Sequence, residues 1–171
     1  AAIPGFGMPG DSAVHVTYDE GAAIGYKWYD VKGFKPMFAF GHGLSYTTFA
    51  VTDAKAEAAD NRITVTGTLT NTGTVEGKGV AMAFVSPADW QAAGWEAPKR
   101  LVAFQKAELA PGQGQNFTAK VDPKLLATYD ETTDSWVVKG GIYHVRLGQA
   151  SDDLPQSVDI TLPDSRWSAV H

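Results

Sequence analysis

RITVTGTLTN, residues 62–71, spaces Ile63, Val65 and Leu69 at a period of two, with Thr64, Thr66, Thr68 and Thr70 between them. That alternation is the signature of a strand with one buried face, and Asn71-Thr72-Gly73 then breaks it with turn chemistry. The same texture continues downstream. VAMAFV sets Val80, Met82 and Phe84 on one face, NFTAKV offers Phe117, Ala119 and Val121, and IYHVRLG alternates Tyr143, Val145 and Leu147 with His144 and Arg146. SVDITL adds Val158, Ile160 and Leu162. With the runs at 50–56, 100–109 and 136–138, and turns at Pro111-Gly112 and Gly140-Gly141, seven or eight short strands are predicted. Their count and spacing suit an all-β sandwich of two sheets over residues 50–163. Only residues 123–127 favour a helical turn, and residues 164–171, which follow Pro163, are expected to form a loose tail.

Residues 1–49 differ in character. Pro4, Pro9 and Pro36 interrupt every periodic run, and glycine is frequent, so neither helix nor sheet is specified for long. Phe6, Tyr18, Tyr26, Trp28, Tyr29, Phe34, Phe38, Phe40, Tyr46 and Phe49 carry more aromatic surface than an isolated tail keeps in water. An arm lying along another domain accounts for both properties.

The totals exclude several classes. None of the 171 residues is cysteine, which removes thiol catalysis and Cys-ligated metal. Lys and Arg number 14 against 19 Asp and Glu, a formal charge of −5, which argues against nucleic acid as a partner. No apolar run approaches the roughly 20 residues of a membrane span, and AAIPGFGMPG at residues 1–10 lacks the regions of a signal peptide. The chain does not begin with methionine, so a piece of a longer polypeptide is expected.

Few residues suggest chemistry. Gly5, Gly7 and Gly10 fit the spacing of a dinucleotide loop, but no strand precedes them and Pro9 has no amide hydrogen to offer a phosphate. His15, His42, His144 and His171 never fall at ligand spacing, and no metal or cofactor is expected. In FGHGLSYTTF, residues 40–49, His42 and Ser45 suggest a base and a nucleophile, although a glycine-shaped turn explains them as well. Asp19, Glu20 and Asp30 are carboxylates, yet nothing fixes two of them across a glycosidic bond. Trp90 and Trp95 sit in a long loop, ADWQAAGWEAP, where they either stack on a sugar ring as substrate-binding residues or fold back over the sandwich. Asn116-Phe117-Thr118 is a glycosylation sequon, meaningful only in a secreting eukaryote.

YDEGAAIGYKWYD, KPMFAFGHGLSYTTF, NTGTVEGKGVAMAFVSP and KRLVAFQKAELAPGQ occur in that order. Together they resemble the C-terminal end of glycoside hydrolase family 3 enzymes, the β-glucosidase and β-xylosidase group. Glu20, Gly21, residues 25–30 and residues 36–49 carry the likeness; Lys27, Met37, Ala39 and Gly79 depart from the usual arginine, leucine, proline and glutamate. The resemblance implies a TIM-like barrel, an α/β sandwich domain and then a fibronectin type III-like domain, this chain holding the last. The nucleophilic aspartate and the acid/base glutamate of that family belong to the first two, so no catalytic residue is carried over. FGHGLSYTTF then becomes a joint, with Gly41 and Gly43 shaping its turn and Phe38, Phe40, Tyr46 and Phe49 anchoring it.

Three readings follow. The chain is a non-catalytic brace whose partners are the upstream catalytic domains of a periplasmic or extracellular hydrolase. Alternatively it is a carbohydrate-binding module for an oligo- or polysaccharide through Trp90 and Trp95, or a homodimerisation domain whose arm crosses to a neighbour.

Overall fold

The structure, a computed structural model, describes residues 17–59 and 62–168. A short helix, α1 (Tyr26–Lys32), precedes ten strands: β1 (Phe49–Ala59), β2 (Arg62–Asn71), β3 (Gly77–Pro87), β4 (Arg100–Leu109), β5 (Gly114–Val121), β6 (Thr128–Asp130), β7 (Ser135–Val138), β8 (Gly141–Gly148), β9 (Gln156–Leu162) and β10 (Ser165–Ser168). One turn of 3-10 helix, Pro123–Leu125, lies where a helical turn is expected, capped by the Asp122 carboxylate accepting from the Lys124 amide.

Seven strands make the sandwich. A three-stranded sheet runs β1-β2-β5 and a four-stranded sheet β4-β3-β8-β9, with every pairing antiparallel. Ile63, Val65 and Leu69 of β2 and Phe117 and Val121 of β5 meet Tyr143, Val145 and Leu147 of β8 in one buried cluster. The alternation read in those strands therefore points inward as expected.

Strand β3 corrects the expectation. Ala81, Ala83 and Val85 enter the core cluster, whereas Val80, Met82 and Phe84 take the opposite face. VAMAFV is apolar at every position, so alternation cannot decide which set is inside. The larger residues face outward because a second layer covers them: the Tyr26 ring meets Phe84 edge-on at 5.6 Å between centroids. Residues 81–87 are accordingly buried on both faces.

The chain's end also departs from expectation. Ser165–Ser168 is a strand, with Trp167 opposite Trp136 of β7, and β10-β7-β6 form a small third sheet. Four residues are too few to declare a period, and the partner strand supplies the order. Residues 169–171 lie outside the described residues.

Candidate functional site

The sequence gives no sign of α1, since neither helix nor sheet is specified for long in residues 1–49. Gly25 (φ 59°) and Gly33 (φ 65°) bracket the helix, taking positive φ at each end where other residues would be strained. Tyr26, Lys27 and Asp30 make the helix's contacts with the sandwich. The Leu101 amide donates to the Tyr26 hydroxyl at 2.9 Å, and the Tyr26 ring also lies against Phe40 at 5.6 Å. Burial pushes that hydroxyl above its ordinary pKa, with the Leu101 amide acting in the opposite direction.

Lys27 and Asp30 reach the loop that joins β3 to β4. Lys27 Nζ lies 2.5 Å from Glu96 Oε1, and Lys99 Nζ donates to Asp30 Oδ2 at 2.6 Å. Arg100 completes the clasp: its Nε lies 3.1 Å from both Glu96 oxygens and its Nη2 2.5 Å from Oε2. Arg100 Nη1 also donates to the Ala127 carbonyl at 2.8 Å and the Leu125 carbonyl at 3.1 Å. Burial pushes the Glu96 carboxyl up, but the hydrogen bonds from Arg100 and Lys27 outweigh it and hold the group at about 2.

This clasp settles the environment of the tryptophans. Trp95 is only 4% exposed, donates from Nε1 to the Leu126 carbonyl at 3.1 Å, and has the Arg100 guanidinium 4.1 Å above its ring. Of the two readings open for Trp95, a face offered to sugar or a residue folded back over the sandwich, its burial fits the second, and the ring face stacks on a cation. Trp90 is half-buried and packs against the core. The loop folds back over the sandwich and holds the arm.

The joint at residues 40–49 is also occupied by structural contacts. The Ser151 amide donates to the Phe40 carbonyl at 2.8 Å, fixing the chain beside β8 and β9. Gly41 takes φ 93°, and a Cβ there would stand 2.8 Å from the Gln149 carbonyl oxygen and from Met82 Cε, so both backbone angle and space demand glycine. Gly43 has no such constraint. The His42 ring stacks on Phe38 at 5.0 Å, and the Ser45 hydroxyl accepts from the Thr47 amide at 3.2 Å, so neither is arranged as base and nucleophile. Phe49 anchors against the core, and Phe40 is half-exposed against Tyr26. Phe38 and Tyr46 do not anchor the joint to the sandwich; both point to solvent.

Sequence reasoning missed Asn71 as more than a turn residue. Its buried side chain accepts from Thr47 Oγ1 at 2.6 Å and the Gly73 amide at 3.0 Å, and donates to the carbonyls of Val75 and Leu109 at 2.8 Å each. The joint, the turn after β2 and the end of β4 thereby meet at one amide.

Of the other candidates, Gly5, Gly7, Gly10, His15 and His171 lie outside the described residues. His144 pairs with Asp159 at 2.6 Å on the outer face of β8 and β9, Asp19 is exposed and Glu20 half-buried. Among the described residues no group of three His, Cys, Asp or Glu is placed to hold a metal ion. A groove between α1 and residues 33–40 is lined by Tyr26, Tyr29, Phe34, Met37, Phe38 and Phe40. Asp30 and Asp152 also reach it, Asp30 with one oxygen held by Lys99.

A family profile described as a fibronectin type III-like domain matches residues 79–151. Thermostable β-glucosidase B of Acetivibrio thermocellus is 35% identical over 151 residues, covering 86% of this chain and 20% of that protein. An exo-α-(1->6)-L-arabinopyranosidase of Bifidobacterium breve is 34% identical over 169 residues, covering 94% and 22%. The crystal structure of a glycoside hydrolase family 3 β-glucosidase of Bifidobacterium adolescentis matches with a TM-score of 0.82 at 32% identity, over 91% of this chain and 23% of that one. The chain thus spans about a fifth of the length of these relatives. Arm and sandwich match as one stretch, and the chain is similar to a portion of glycoside hydrolase family 3 enzymes that carries a fibronectin type III-like domain.

Proposed function

We propose that the chain is the non-catalytic C-terminal portion of a β-glucosidase-type hydrolase, a brace that stabilises the catalytic domains while the parent polypeptide cleaves terminal β-glycosidic bonds. One observation carries this: the match to glycosidases runs through nearly all of this chain and only a fifth of theirs. The electrostatics agree. Two carboxylates at the groove and the tryptophan loop, Asp30 and Glu96, are taken up in ion pairs with Lys99, Lys27 and Arg100. A glycosidic acid needs a proton to give, and the hydrogen bonds from Arg100 and Lys27 keep Glu96 ionised.

Hydrolysis of an aryl β-glucoside tests the reading. The purified chain is expected to give no rate above an enzyme-free control, and deletion of residues 50–168 from the parent is expected to lower its thermal tolerance. Turnover by the chain alone overturns the proposal. The saccharide-binding alternative now rests on Trp90, the less buried of the two loop tryptophans; fluorescence quenching by glucan that Trp90→Ala abolishes would support it.

A further inference from the structure

The arm has two faces, and only one is accounted for. Its inward contacts, Ala39, Thr47, Tyr26 and the Phe40 carbonyl, are buried or bonded to the sandwich. Its outward residues are apolar and open: Met37 is 90% exposed, Phe38 67%, Leu44 97% and Tyr46 99%. These lie within a dozen residues; Met37 and Phe38 line the aromatic groove, and Leu44 lines a second groove that shares Asp152 with it. Scattered exposed apolar residues need no explanation, but a clustered set on a backbone fixed from behind marks an interface.

We infer that Met37, Phe38, Leu44 and Tyr46 form the seat on which the catalytic body of the same polypeptide rests. This deepens the proposed function and depends on it. About four fifths of each relative's length lies outside this chain, so a large covering body belongs to the polypeptide. Lys27 and Asp30 are paired on the inner side with Glu96 and Lys99, and residues 36–46 hold no Asp, Glu, Lys or Arg, which leaves that outer stretch suited to an apolar partner. The backbone is already held in place, so docking orders few new residues and loses little entropy.

The test mixes this chain with the catalytic body of the parent, produced separately, and measures association by sedimentation. The wild-type chain is expected to bind, and Leu44→Glu with Tyr46→Glu to bind at least tenfold more weakly, with the circular dichroism and Tm of the chain unchanged. Thr118→Glu, on the exposed face of β5, is expected to bind like wild type. No association by the wild-type chain overturns the brace reading together with this inference. Association that survives the double substitution overturns this inference alone. A self-associated chain that the double substitution turns into a monomer also overturns it, since the seat then belongs to a second copy. If the separate body is insoluble, amide exchange decides: residues 37–46 are expected to exchange more slowly in the full-length parent than in this chain, and equal rates overturn the assignment.

Discussion

At the scale of single residues, Tyr143 and Asn71 fix the sandwich by hydrogen bonds that alternation cannot reveal. Tyr143 enters the core as its period-two position predicts, and its hydroxyl reaches back to donate to the Lys139 carbonyl at 2.6 Å. That closes the corner at the start of β8 in the manner of the tyrosine corner of immunoglobulin-like sandwiches. Burial pushes this hydroxyl up to about 12. Tyr143→Phe keeps the ring and loses the bond, and is expected to cost about 1–2 kcal/mol in urea unfolding. Asn71→Asp is a sharper test. A carboxylate cannot donate to Val75 and Leu109, so both carbonyls lose that donor and a charge is placed in a buried site; a loss of about 3 kcal/mol or more is expected. The turn at Asn71 is legible because Asn-Thr-Gly is turn chemistry. The network is not, because its partners Thr47 and Leu109 lie 24 and 38 residues away.

At the scale of elements, the clasp between α1 and the β3–β4 loop determines how the arm lies. Glu96 is its centre, and its protonation sets a pH dependence with a definite sign. The folded carboxyl is held at about 2 against an ordinary 4.5, so its stabilisation is fully present above about pH 4.5 and is lost as pH falls toward 2. With partial solvent screening the contribution is on the order of 1–3 kcal/mol. Glu96→Gln should therefore lower stability by that amount at neutral pH and flatten the stability profile between pH 4.5 and 2, measured by urea unfolding across that range. An unchanged profile would mean that Glu96 is not the acid-sensitive group. None of this is legible in the sequence. A seven-residue helix between glycines leaves too short a pattern to read, and Lys27 and Glu96 are 69 positions apart. The strands of the sandwich are legible because each repeats its period over several residues; among them β3 alone misleads, because the arm makes its outer face apolar too, while β6 and β10 are too short to read.

At the scale of the whole molecule, the clasp is expected to decide whether arm and sandwich behave as one body. Apart from Phe49, the arm adds little to the sandwich core, and its attachment rests on Tyr26, the ion pairs of Lys27 and Asp30, and the Thr47–Asn71 bond. Polar attachments of this kind are strong when complete and weak when one partner is removed, because the remaining groups stay desolvated. The wild-type chain should accordingly unfold in one transition, with exchange of the α1 amides and loss of near-ultraviolet signal from Trp95 coinciding in urea. In Arg100→Ala, Glu96 loses its fork and the Leu125 and Ala127 carbonyls lose their donor. The α1 amides are then expected to open at lower urea than the β2 and β8 amides, so that one transition becomes two. If the variant still unfolds in a single step at a merely lower midpoint, the arm is held by packing of Tyr26 on Phe84 and Phe40 rather than by the charges.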